Sequence, residues 1–167
     1  EMLLVLTSNE ITANLGAGLD VNASGTYSRI SARLQNNNLS TNGTFGVFMR
    51  TTNNGTGTDG GLLDVLAVSN AISNNDASGT VGRDMFARNS SLGRICLAMS
   101  NNFFVLPASL QNLGAPADYI VELDGATNGI GQPVFVPSAA DFDLRTFGTV
   151  CDPAIAAQEG VFAGLGF

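Results

Sequence analysis

Thr26-Tyr-Ser-Arg-Ile-Ser-Ala-Arg-Leu-Gln35 and, past an Asn/Ser/Thr loop, Thr44-Phe-Gly-Val-Phe-Met-Arg50 decide how this chain reads. Ile30, Ala32 and Leu34 alternate with Arg29, Ser31 and Arg33; Phe45, Val47 and Met49 repeat the alternation after the loop. A period of two sends one set of side chains to a buried face and the other to water. Asn42-Gly43 stands just before the second run, and both residues accept the positive φ of tight hairpin turns. The stretch therefore reads as two long antiparallel strands covered on one side. Ile30, Leu34, Phe45, Val47 and Met49 are expected inside, with Arg29 and Arg33 exposed or paired.

The rest of the chain repeats this pattern. Ile11, Ala13 and Leu15, then Leu19, Val21 and Ala23, alternate between breaks at Gly16, Gly18 and Gly25. Leu62 to Val68 fits a helical face or a strand, and the β-branched surroundings favour strand. Ser69 to Gly82 and Ala108 to Leu113 are each expected to hold a short helical turn. Arg94 to Ser100, Tyr119 to Leu123, Phe142 to Val150 and Val161 to Phe167 read as further strands. No fixed-period repeat stands out. Eight to ten short strands with turn signals between them imply an all-β antiparallel sandwich of jelly-roll type, in one domain spanning 1–167. Residues 1–15 form an extended N-terminal segment.

Composition excludes more than it assigns. Charged residues make up 13% of 167 positions and apolar ones 44%, which is not a disordered composition. Every basic residue is Arg, and His and Trp are absent. Without His there is no general base of the usual kind near neutral pH and no Ser-His-Asp or Cys-His arrangement. Residues 1–100 carry six Arg against seven acids, and residues 101–167 carry one Arg against seven, so the net −7 sits mostly in the last third. Such a balance repels nucleic acid and anionic membrane surfaces.

Candidate chemistry is sparse. Asp118, Glu122, Asp124, Asp141, Asp143 and Asp152 crowd together, yet they match no calcium loop and read as a solvated acidic surface. No metal or cofactor is expected. Gly55 to Gly61 lacks the Lys-Ser/Thr ending of a phosphate loop. Asn22, Asn38, Asn42, Asn54 and Asn89 each head an Asn-x-Ser/Thr triplet, which would make them glycan acceptors in a secretory route. Cys96 and Cys151 are expected to pair as a disulfide in an oxidising compartment.

Met2-Leu-Leu-Val-Leu6 is far shorter than the roughly 20 residues of a membrane span. Glu1-Met-Leu-Leu-Val-Leu6 resembles the start of a mature type IV pilin. The resemblance stops at Thr7-Ser-Asn9, where that family continues as a long apolar helix. Extended apolar segments at Met2, Leu3, Leu4, Val5 and Leu6, and at Val161, Leu165 and Phe167, invite strand-edge pairing with another copy. The expectation is thus a non-enzymatic structural subunit, extracellular or at the cell surface, assembling with itself into a filament or shell. A jelly-roll capsid or tail protein of a virion, or a carbohydrate-binding module, are the alternatives.

Overall fold

The computed structural model describes residues 2–25, 28–52, 60–77, 79, 83–90 and 92–113, with the backbone of 119–123 and 143–146. Fourteen strands run in chain order: β1 Met2–Thr7, β2 Glu10–Thr12, β3 Leu19–Ser24, β4 Arg29–Gln35, β5 Asn38–Ser40, β6 Val47–Thr52, β7 Leu62–Val68, β8 Ala71–Ser73, β9 Met85–Asn89, β10 Arg94–Ser100, β11 Phe103–Phe104, β12 Ala108–Asn112, β13 Tyr119–Leu123 and β14 Asp143–Thr146. They form three sheets, ordered β1-β4-β7-β10-β13-β14, β2-β5-β8-β11 and β3-β6-β9-β12. Each strand pairs in parallel with the strand one turn of chain away. The architecture is a parallel β-helix of four complete coils, continued by two more strands in the first sheet.

This corrects the antiparallel sandwich. β4 and β6 do not form a hairpin: they lie in different sheets, with β5 between them in a third. Asn42-Gly43 closes no tight turn. Among the described residues there is no antiparallel pair and no helix, and Ala108–Asn112 is a strand. The jelly-roll capsid or shell loses its basis with the sandwich. The reason is physical. Alternation fixes which face a residue takes, but it is identical in parallel and antiparallel strands.

The faces themselves were read correctly for most of the organising stretch. Leu34, Val47 and Met49 are 1%, 0% and 1% exposed, while Ile30 and Phe45 are half-buried. Arg33 is buried and donates to the Gln35 amide oxygen. Inward side chains stack in columns from coil to coil, such as Leu4, Ala32, Val65 and Leu97, or Ile11, Leu39, Ile72 and Phe104. The first column mixes large and small residues, so the narrow interior fills without overpacking.

Corners set the period. Ser8, Asn36, Ser69 and Asn101 all have φ between 54° and 56°, and each precedes an asparagine: Asn9, Asn37, Asn70 and Asn102. The left-handed residue swings the chain out of the first sheet, and Asn tolerates that conformation better than most residues. The next asparagine then bonds along the axis. Asn37 Oδ1 accepts from the backbone N–H of Asn9 at 2.9 Å and from its Nδ2 at 3.1 Å. Asn37 Nδ2 donates to Leu6 O and to Asn70 Oδ1, both at 2.9 Å. Asn70 repeats the set with Leu34 O and Asn102 Oδ1. The two inner rungs therefore have two acceptor and two donor positions filled, the full capacity of a primary amide. Successive partners are 28, 33 and 32 residues apart, one coil each time.

A second corner carries a parallel ladder through Asn14, Asn42 and Asn75, again after positive-φ residues Ala13, Thr41 and Asn74. A third corner links Thr51, Asn89 and Asn112. Close packing at the second corner explains Gly46, where a Cβ would come within 2.6 Å of Asn75 Nδ2. Strand pairing and amide ladders hold the described coils, and Cys96, expected to cross-link to Cys151, is not a free thiol. Cys96 is buried in β10, and Cys151 lies outside the described residues.

Asn70→Ala should destabilise the protein by about 2–6 kcal/mol in urea titration, because it strands the buried Asn37 N–H and Leu34 carbonyl at about 1–3 kcal/mol each. Asn36→Gly, which suits φ +54°, should change stability by less than about 1 kcal/mol. Equal effects from the two substitutions would refute the ladder's role.

Candidate functional site

Three places in the described coils have chemistry beyond packing. The first is Asp84, a carboxylate with 0% exposure. It occupies the rung after Asn75 in the second ladder, and its position resembles that of a catalytic acid. Its hydrogen bonds give a different role. Oδ1 accepts from Asn75 N and Nδ2, both at 2.9 Å, while Oδ2 accepts from Val105 N at 2.9 Å and Leu106 N at 2.5 Å. Four donors converge on two oxygens. An asparagine would turn an NH2 toward two backbone N–H groups, so the carboxylate is required where the fourth coil supplies no ladder asparagine.

The second is the open end of the first coil. β1, β2 and β3 are each the last strand of their sheet, and their outer edges have no partner among the described residues. Leu4 and Leu6 pack on the core, whereas Met2, Leu3 and Val5 are 48%, 45% and 44% exposed. Leu15, at the second corner of the same coil, is 99% exposed. Asn9 and Asn14 donate into the ladders toward the second coil. Their own side-chain oxygens accept from no donor among the described residues. Of the expected assembly residues, Met2 to Leu6 thus lie together on one strand, and Val161, Leu165 and Phe167 lie outside the described residues.

The third is the outward face of the sheet β3-β6-β9-β12, which sequence reading missed. Phe48 and Phe86 are in register on adjacent strands and stack at 5.6 Å with 1° between planes. Phe45 tilts against both. The Arg50 guanidinium lies 4.6 Å from the Phe48 ring centre and that of Arg83 4.7 Å from Phe86. A cleft of about 440 Å³ is lined by Phe48, Arg50, Thr51, Thr52, Arg88, Ser90 and Leu113. The signal was Phe-x-Arg at 48–50 and again at 86–88, which needs the coil register to become a pattern.

Among the described residues no group of three His, Cys, Asp or Glu could hold a metal. None of the described elements is a helix long and apolar enough to cross a membrane. Of the acidic cluster, Glu122 and Asp143 fall on β13 and β14, and the other four members lie outside the described residues. Asn42 and Asn89 are 0% exposed and committed to ladders, whereas Asn22 and Asn38 are on the surface. No protein-family model, curated protein or solved structure matches the chain.

Asp84→Asn should lower stability by about 3 kcal/mol despite its nearly identical shape, since it replaces two charge-assisted bonds with opposed donors. An unchanged denaturation midpoint would show that an amide serves the site equally well.

Proposed function

We propose that the protein is a non-enzymatic structural module, a β-helical rod outside the cell or at its surface, extended by stacking of another copy's coil on its first coil. The observation that supports this reading is the state of the first coil. Three sheet edges and two ladder oxygens lie at the same open end, and the exposed apolar side chains Leu3, Val5 and Leu15 belong to that coil. Sheet edges of this kind pair readily with other strands. Leaving their apolar surface in water costs about 25 cal/mol per Å². An occupant must bring a donor to the Asn9 oxygen, as Asn102 of another copy's fourth coil can, and a different donor to the Asn14 oxygen, since that coil has no ladder asparagine at the second corner. The lack of His throughout the chain supports the non-enzymatic half of the reading.

Light scattering over a range of protein concentrations tests it. The natural chain should show mass rising in steps of one protomer. Leu3→Lys with Val5→Lys, placed at exposed positions of β1, should remain folded by circular dichroism and stay at the mass of one protomer. A natural chain that stays monomeric throughout, or a double variant that associates as well, would overturn stacking at this end.

A further inference from the structure

The cleft on the β3-β6-β9-β12 face has a charge arrangement that packing does not explain. Arg50 and Arg88 are direct neighbours in the parallel register, on strands about 4.8 Å apart. Like charges placed directly opposite destabilise a strand pair. Asp20, in the next strand, holds Arg50 at 3.1 Å. Arg88 is exposed and has no carboxylate partner among the described residues. The Arg50 Nε is buried without a hydrogen-bond partner. Two arginines on neighbouring strands, with one carboxylate on the far side of Arg50 from Arg88, form a site short of one negative charge.

What surrounds the pair narrows the ligand. The Phe48 ring and Leu113 supply apolar walls, and Thr51, Thr52 and Ser90 supply hydroxyl groups. An apolar plane flanked by hydroxyls and a cation suits a sugar ring, whose C–H face packs on an aromatic ring while its edge hydrogen-bonds. The cleft, about 440 Å³, has room for two or three such rings. A nucleic acid strand would bring one charge per nucleotide against a chain of net −7, whereas an acidic glycan brings few.

We propose that this cleft binds an acidic oligosaccharide, with Arg50 and Arg88 bridging one carboxylate or sulfate group and Phe48 supporting the adjoining ring. The anion joins the two guanidiniums through charge-assisted, bidentate hydrogen bonds of the kind arginine makes best. The site is independent of coil stacking, since it lies on the side of the rod.

Calorimetric titration tests it with four probes: trigalacturonate, its fully methyl-esterified form, a sulfated disaccharide and oligothymidylate. At least one anionic sugar should bind, and the result identifies whether carboxylate or sulfate is preferred. The methyl ester should bind at least about tenfold more weakly than the acid if the carboxylate is the group held. Arg88→Gln should weaken binding of the preferred sugar by a similar factor with an unchanged melting temperature, because Arg88 is exposed. The proposal fails if neither anionic sugar binds, if Arg88→Gln leaves the preferred sugar's affinity unchanged, if the ester matches the acid where the acid is the preferred sugar, or if oligothymidylate binds more tightly than both sugars.

Discussion

A coil that closes every 28 to 33 residues must turn corners, and each corner takes backbone groups out of the sheets while keeping them buried. Those groups must find partners along the axis or leave the fold with a cost of 1–3 kcal/mol apiece. The asparagine ladders are the answer at two corners, and the rest of the solenoid depends on them. Each inner rung satisfies a buried carbonyl of the coil before it and accepts two donors from the same direction. Aspartate could not donate, serine has too few groups, and glutamine is one methylene too long for the same register. Stability in such a stack is a sum over neighbouring coils. The ladders make that coupling specific, because a slipped coil would present a different residue to the rung.

How much of this the sequence disclosed follows from what alternation encodes. Strands at Arg29–Gln35, Val47–Thr52, Leu62–Val68 and Arg94–Ser100 were legible, as were the buried faces of Leu34, Val47 and Met49. Partner and direction were not, because a half-buried strand has the same pattern in either kind of sheet. The missing signal was the dipeptide of a left-handed residue and an asparagine: Ser8-Asn9, Asn36-Asn37, Ser69-Asn70 and Asn101-Asn102. Coils of unequal length blurred its period. Abundant Asn on the surface, such as Asn22 and Asn38, hid the buried ones. Asn42-Gly43 was the costliest ambiguity, since the residue that resembled a turn former is a ladder rung with no exposure.

The apolar segment Met2–Leu6 was legible as an extended edge, though its own fold already accounts for half of it. Leu4 and Leu6 complete the first coil's core, and only the outward and end-facing surfaces remain for a partner. The cleft beside Phe48 and Arg88 could not be seen in the chain. It arises from residues 38 apart that only the coil register makes adjacent.

The placement of Asp84 gives the rod a direction. In both long ladders every asparagine side-chain oxygen faces the first coil and every amide hydrogen that passes the ladder on faces the fourth. The amide dipoles therefore add head to tail, as peptide dipoles do in an α-helix. The first-coil end is the negative pole and the fourth-coil end the positive one. Asp84 sets a full negative charge at the positive pole of its ladder, much as an acidic side chain caps the start of a helix. A carboxylate has no hydrogen to hand onward, so that ladder terminates there by its chemistry. One ladder is closed by charge at the fourth coil while both offer bare oxygens at the first among the described residues, and the rod is polar in the electrical as well as the geometric sense.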